Sequence, residues 1–123
     1  MSKSRRKLGI WGENEAERFL IELGYSIIGR NVRTSYGEID IVAHKDGFVV
    51  FIEVKTRTTQ SFGTPEDSIT VAKRERLIQS AAAYLQNHPE MENSWQIDVI
   101  SIQKINGKPI QITHFENAIN DFG

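Results

Sequence analysis

Two apolar runs of the chain carry acids where a buried strand would carry another aliphatic residue. In YGEIDIVAHKDGFVVFIEVKTRT, residues 36–58, Asp40 stands between Ile39 and Ile41, and Glu53 stands between Ile52 and Val54, with Lys55 next. Runs of this type read as strands, and Asp46-Gly47 between them is a strong hairpin signal. A two-residue turn there pairs Lys45 with Phe48, which sets Asp40 opposite Glu53 and Glu38 opposite Lys55. Alternation along the strands then predicts Glu38, Asp40, Glu53 and Lys55 on one face. Ile39, Ile41, Ala43, Val50, Ile52 and Val54 form the opposite, apolar face. A bulge would shift every one of these assignments.

Two carboxylates with Cβ atoms about 5 Å apart repel and stay ionised comfortably only with a cation between them. Oxygen donors with no cysteine or histidine beside them suit a hard ion, Mg²⁺ or Mn²⁺. Acid–lysine pairs are ordinary on exposed hairpins, so the Glu-x-Lys triplet alone says little. Asp40 in register with Glu53, inside strands too apolar for solvent, says more.

The remaining elements must hold those groups in place. GENEAERFLIELGY reads as a helix, with Ala16, Phe19, Leu20 and Leu23 on one stripe and Gly24 as its stop. Among its acids Glu13 lies nearest that stripe, at the N-terminal edge. SIIGRNVR is a strand, and SFGTPEDSI is a loop. A second helix starts at Thr70, carries Leu77, Ile78, Ala81, Ala82 and Leu85, and ends near Asn87-His88-Pro89. WQIDVISIQ and IQITHF are strands around an Asn-Gly turn. The order α-β-β-β-α-β-β predicts an α/β to α+β fold, a mixed central sheet flanked by helices.

With 123 residues the chain is expected to form one domain, residues 1–123, large enough to bury a core without staples. It has no cysteine, which excludes disulfides, cysteine zinc sites and thiol catalysis. The N-terminus is basic without the apolar segment of a signal peptide, and no run is long enough to span a bilayer. A soluble cytoplasmic protein is expected, with residues 1–7 as a flexible basic arm. The net charge of −1 gives no overall pull toward nucleic acid, but residues 1–84 carry +2 and the rest −3. If the clustered acids hold a metal, the remaining surface of the first part is basic.

GEID, a 12-residue spacer and EVK resemble the D…(D/E)-x-K signature of the restriction-endonuclease-like nuclease superfamily. LGIWGENEAERFLIELGY is similar to the Gly-x-x-x-Glu first helix of archaeal Holliday-junction resolvases. GEIDIVA, FIEVKTR, the FGTP loop, the Lys-x-x-Arg helix and the terminal ENAI resemble the YraN-like family of small, largely uncharacterised bacterial proteins. The likeness covers nearly the whole chain. It implies a restriction-endonuclease-like fold and Mg²⁺- or Mn²⁺-dependent endonuclease chemistry on DNA, with branched or flap structures as candidate substrates. By position, Asp40 and Glu53 would ligate the metal, with the Val54 carbonyl as a backbone ligand. Lys55 would orient and help deprotonate the attacking water, Glu13 would sit beside the metal, and Glu38 would stand behind the ligands. A homodimer is a possible assembly. The rival reading is a nuclease-derived module that binds nucleic acid or protein without cutting. The near-neutral charge departs from the basic resolvases and bears on branched-DNA binding more than on the metal.

Arg33, Arg57, Lys73 and Arg76 are the candidate phosphate contacts, Arg57 foremost because it shares the face of Lys55. Arg74 shares the helix's apolar stripe. Asp98 reads as a satisfied structural carboxylate, and His44, His88 and His114 show no ligand spacing.

Overall fold

A computed structural model describes residues 3–58, 69–91 and 94–119 of the chain. The FGTP loop lies outside the described residues. Helix α1 (Lys3–Glu22) leads into strands β1 (Ser26–Thr34), β2 (Gly37–Lys45) and β3 (Phe48–Arg57). Helix α2 (Val71–Gln86) follows, then β4 (Trp95–Gln103) and β5 (Gln111–Ile119). The five strands form one mixed sheet in sequence order, antiparallel except for β3 and β4, which run parallel across the α2 connection. The order and the helix-flanked mixed sheet agree with the sequence expectation. Among the described residues no helix is long and apolar enough to cross a membrane.

Helix α1 starts at Lys3, so residues 3–7 continue the helix instead of forming the expected arm. Nothing in LysSerArgArgLys breaks a helix, and the basic residues there are good helix formers. The helix ends as Gly24 predicts. Gly24 takes a positive φ of 95° and donates to the Ile21 carbonyl, while Tyr25 N–H reaches back to Leu20. This double bond satisfies the last carbonyls and turns the chain into β1. Helix α2 is capped by Thr70, whose hydroxyl accepts the Lys73 N–H. Its buried stripe is Leu77, Ser80, Ala81, Tyr84 and Leu85, so Ala82, placed inward from the sequence, faces solvent.

Both faces of the β2–β3 hairpin are buried, which the expected single apolar face did not allow. Ile41, Ala43, Val50 and Ile52 pack with Ala16 and Leu20 of α1, while Val42, Val49 and Phe51 pack with Leu77, Ala81, Tyr84 and Leu85 of α2. Phe51 is enclosed by the edges of Tyr84 and Trp95. Burying a side chain of that size contributes roughly 2–3 kcal/mol.

The helix that carries Glu13 lies very close to β3. A Cβ on Gly12 would overlap the Thr56 hydroxyl, so the helix can approach this strand only because residue 12 has no side chain. Gly12→Ala should therefore push α1 away from β3 and destabilise the protein by about 1–3 kcal/mol. Gly9→Ala, where a Cβ meets nothing within 4 Å, should be neutral or slightly stabilising. Urea unfolding of both variants reads the contrast, and equal effects would contradict the close packing.

Candidate functional site

The turn between β2 and β3 is the expected two-residue type, with Asp46 at φ 52° and Gly47 at φ 83°. The predicted register holds from Lys45↔Phe48 to Ile41↔Ile52, where the pairing stops. Asp40 and Glu53 would be the next pair. On the other flank of β2, Arg30 pairs with Ile41 and Val32 with Ile39, and Asn31 between them takes φ 48°. Asp40 thus stands where the β2–β3 ladder ends, across from the positive-φ residue of β1.

The break changes which way side chains point. Ile39 packs on the α2 side of the sheet and Ile41 on the α1 side, so strict alternation fails across Asp40. The Val54 N–H, released from the ladder, donates instead to Asp40 Oδ2 at 2.8 Å. The carboxylate fills the fork that the strands leave. Its pKa is pushed up to about 8, by burial first and then by the Glu53 charge, with a side-chain hydrogen bond to Glu53 and the charge of Glu13 adding to the rise. The Val54 N–H acts in the opposite sense. The two carboxyls therefore meet as the sequence predicts, in a splayed fork instead of a regular pair.

Glu53 is buried and points toward α2, where Lys73 Nζ lies 3.4 Å from its Oε2. Lys55 is half-buried beside it. Burial draws the Lys55 pKa down to about 8, helped by a hydrogen bond to Lys73 and by the charge of Lys73, against the pull of Glu53 and Asp40. Glu13 arrives from α1, on the other side of the sheet, and is held by Arg30 Nη2 at 3.3 Å and Asn31 Nδ2 at 3.1 Å. Arg30 also reaches Glu17. The acids therefore converge on the fork from both sides of the sheet, not from one face as the ideal register implied.

Glu38 departs from the expected group. It pairs with Arg33 at 3.3 Å on the surface, and the Arg33 side chain is 87% exposed. Arg76 lies over Gly37, its side chain filling the space that a Cβ would take. Arg57 is half-buried at the end of β3, in register with Gln103. Lys73, a candidate phosphate contact from the sequence, lies against Glu53.

Three partners escaped the sequence: Arg30, Asn31 and His114. Arg-Asn in mid-strand was a usable signal, because asparagine is poor in strands and tolerates φ > 0. His114 Nε2 lies 2.7 Å from Asp98 Oδ2, and Asp98 Oδ1 accepts from Gln96 and from the Asn117 N–H. Asn117, at φ 49°, lies in a bulge of β5 opposite wholly buried Asp98. Asp98 thus plays the structural part expected of it. With His114 and Glu116 it forms a compact group, its potential ligand atoms within 4.8 Å of one another. Every Asp98 oxygen is already taken by protein donors, so that group has less to offer an ion than the fork. A cavity of about 290 Å³ lined by Tyr25, Lys45, Gln96 and Glu116 lies toward the hairpin turn, away from Asp40 and Glu53.

Comparison with known proteins places this chain among close relatives. Residues 12–102 match the family described as "Uncharacterised protein family UPF0102". A UPF0102 protein of Syntrophomonas wolfei is 43% identical over 113 residues, covering 92% of this chain and 97% of its own. One from Roseiflexus castenholzii is 42% identical over 123 residues, 98% and 99% of the two chains. The solved structure of Pyrococcus furiosus SfsA in complex with Ca²⁺ is a far more distant likeness, at 16% identity and TM-score 0.44, with 94% of this chain and 65% of that one covered. With most of its length matched by the family and by relatives above 40% identity, the chain belongs to UPF0102, the YraN-like family.

Proposed function

We propose that the protein is a metal-dependent nuclease of the restriction-endonuclease-like class, hydrolysing phosphodiester bonds in DNA, with branched or flap structures as its candidate substrates. The observation that carries this reading is the fork itself. Two carboxyls are brought together in a buried setting where, without a cation, one of them is driven toward its protonated form. The donor set fits a hard divalent ion such as Mg²⁺ or Mn²⁺, because it is built from carboxylate oxygens. The Val54 carbonyl adds a third oxygen. In an antiparallel strand the N–H and C=O of one residue point to the same neighbour, and Val54 N–H points at Asp40.

In this scheme Asp40, Glu53 and the Val54 carbonyl would hold the ion, which would supply Lewis-acid stabilisation of the phosphate's charge. Glu13, held by Arg30 and Asn31, would add a further carboxylate near it. Lys55 orients the attacking water and takes its proton at Nζ. Arg57, Arg33 and Arg76 are the proposed phosphate contacts, and Glu38 sets the position of Arg33. Among the described residues, Lys73's contact with Glu53 favours the rival, a binding module that no longer cuts. A cleavage panel of linear, flapped and four-way DNA with Mg²⁺ or Mn²⁺ separates the two readings. Cutting by wild type and none by Glu53→Ala supports the nuclease. Retained binding with no cutting on any substrate supports the module. Sedimentation of the same samples reads whether a homodimer forms.

Lys55→Ala should lower turnover by about 10²–10⁴ while substrate binding stays within a few-fold, the usual contribution of a positioned acid–base group. Single-turnover cleavage and a filter-binding titration measure the two parts, and normal cleavage by the variant would remove Lys55 from the chemistry.

Metal-free stability gives a test independent of activity. A carboxyl whose folded pKa is raised stabilises the fold fully below its unfolded pKa, and that contribution is lost as pH rises from about 4 through about 8. Asp40→Asn keeps an acceptor for Val54 and cannot ionise. In chelator it should become progressively more stable than wild type over that window, the difference growing by up to about 1.4 kcal/mol per pH unit. Mg²⁺ should then stabilise wild type and barely move the variant. Denaturant melts across this pH range measure both. A variant that is less stable throughout, with no response of either protein to Mg²⁺, would make the acids structural.

A further inference from the structure

We infer that Lys73, in the first turn of α2, is a positioning residue that fills the cation's place on Glu53 in the ion-free protein and must leave it before a divalent ion binds. The inference rests on the reading that Asp40 and Glu53 hold that ion.

Several observations make this location hard to explain otherwise. Lysine is usually exposed, yet the Lys73 side chain is only 25% exposed and lies 3.4 Å from a carboxylate that is 6% exposed. Its charge also acts on Lys55, another potential cation. Its helix position adds a further cost. The first turn of α2 carries no acid, and a positive charge there opposes the helix dipole. Burial, a like neighbour and the dipole all disfavour an ammonium at this point. The Glu53 contact is the interaction that offsets them.

Charge counting gives the consequence. Glu53 already faces the Lys73 ammonium, with Lys55 half-buried beside it, and Arg30 lies against Glu13 and Glu17. The ion-free site is thus neutralised by its own side chains. A dication added to it leaves a surplus of positive charge unless an ammonium withdraws or an anion arrives. Lys73 is the group able to withdraw. It enters from a separate helix on a flexible four-carbon stem, at the helix end that borders the protein surface, and Val71 beside it is 74% exposed. A phosphodiester oxygen would offer the displaced ammonium a new partner. Metal and nucleic acid then favour each other's binding, because each stabilises the arrangement the other needs. The free protein is accordingly a weak binder of metal by construction.

Calorimetric titration of Mn²⁺ into wild type, Lys73→Met, Lys73→Arg and Asp40→Asn tests this without any cleavage assay. Lys73→Met keeps the apolar stem and removes the competing charge, so it should bind Mn²⁺ about fivefold or more tightly than wild type. Lys73→Arg should stay close to wild type. Adding duplex DNA should tighten Mn²⁺ binding to wild type more than to Lys73→Met. A merely structural lysine would predict weaker or unchanged binding in the methionine variant, and that result overturns the inference while leaving the metal site intact. If wild type and Asp40→Asn give the same heats, the metal site itself is wrong and the inference falls with it. Should Lys73→Met fail to fold, Lys73→Gln carries the same expectation.

Discussion

The site depends on one interrupted ladder. Between Ile41↔Ile52 and the ends of their strands, β2 and β3 stop exchanging backbone hydrogen bonds, and the Asp40 carboxylate takes the Val54 N–H that the ladder gives up. An unpaired buried N–H costs about 1–3 kcal/mol, so the fork needs an acceptor at residue 40. That acceptor is also an acid, which brings a charge into the core and forces everything around it to respond. The positive φ of Asn31, the side-chain reversal between Ile39 and Ile41, and the approach of Glu13 all follow from the same irregularity.

Asp98 shows what the same device looks like when it is closed. It too is an acid in an apolar strand, opposite an asparagine with a positive φ, accepting a released backbone N–H. There the carboxylate is saturated by Gln96, His114 and Asn117, and nothing is left over. At the fork the balance is different. Asp40 meets a second carboxyl and answers by holding its proton, while Lys73 and Lys55 crowd the space that Glu53 faces. Two irregularities of the same kind therefore differ in their unsatisfied electrostatics, and the open one is the candidate for chemistry.

Much of this was legible in the residues. Asp-Gly set the hairpin register, Gly24 set the end of α1, and Thr70 set the start of α2, because each is a local backbone requirement. The meeting of Asp40 with Glu53 followed from that register. What did not follow was the fork, since period-two alternation assumes an unbroken ladder and so put Glu38 on the face of Asp40, Glu53 and Lys55, and Ile39 with Ile41. The contacts of Lys73, Arg30 and His114 were also hidden. They join elements distant in sequence, and no spacing rule places a lysine of α2 on an acid of β3. The β5 strand ran four residues beyond Phe115, because the bulge at Asn117 disguises its second half.

The central claim is that the fork, and not the closed cluster around Asp98, is where a divalent ion is held. Titrating Mn²⁺ into isotope-labelled protein and following the amide signals by NMR tests it most directly, because paramagnetic broadening falls off steeply with distance. The account predicts that Asp40, Glu53 and Val54 broaden at the lowest Mn²⁺ and most strongly, with Asn117 and His114, two strands away in the same sheet, broadening later and less. Broadening centred on His114 and Glu116, or the same weak loss across the whole surface, would contradict it.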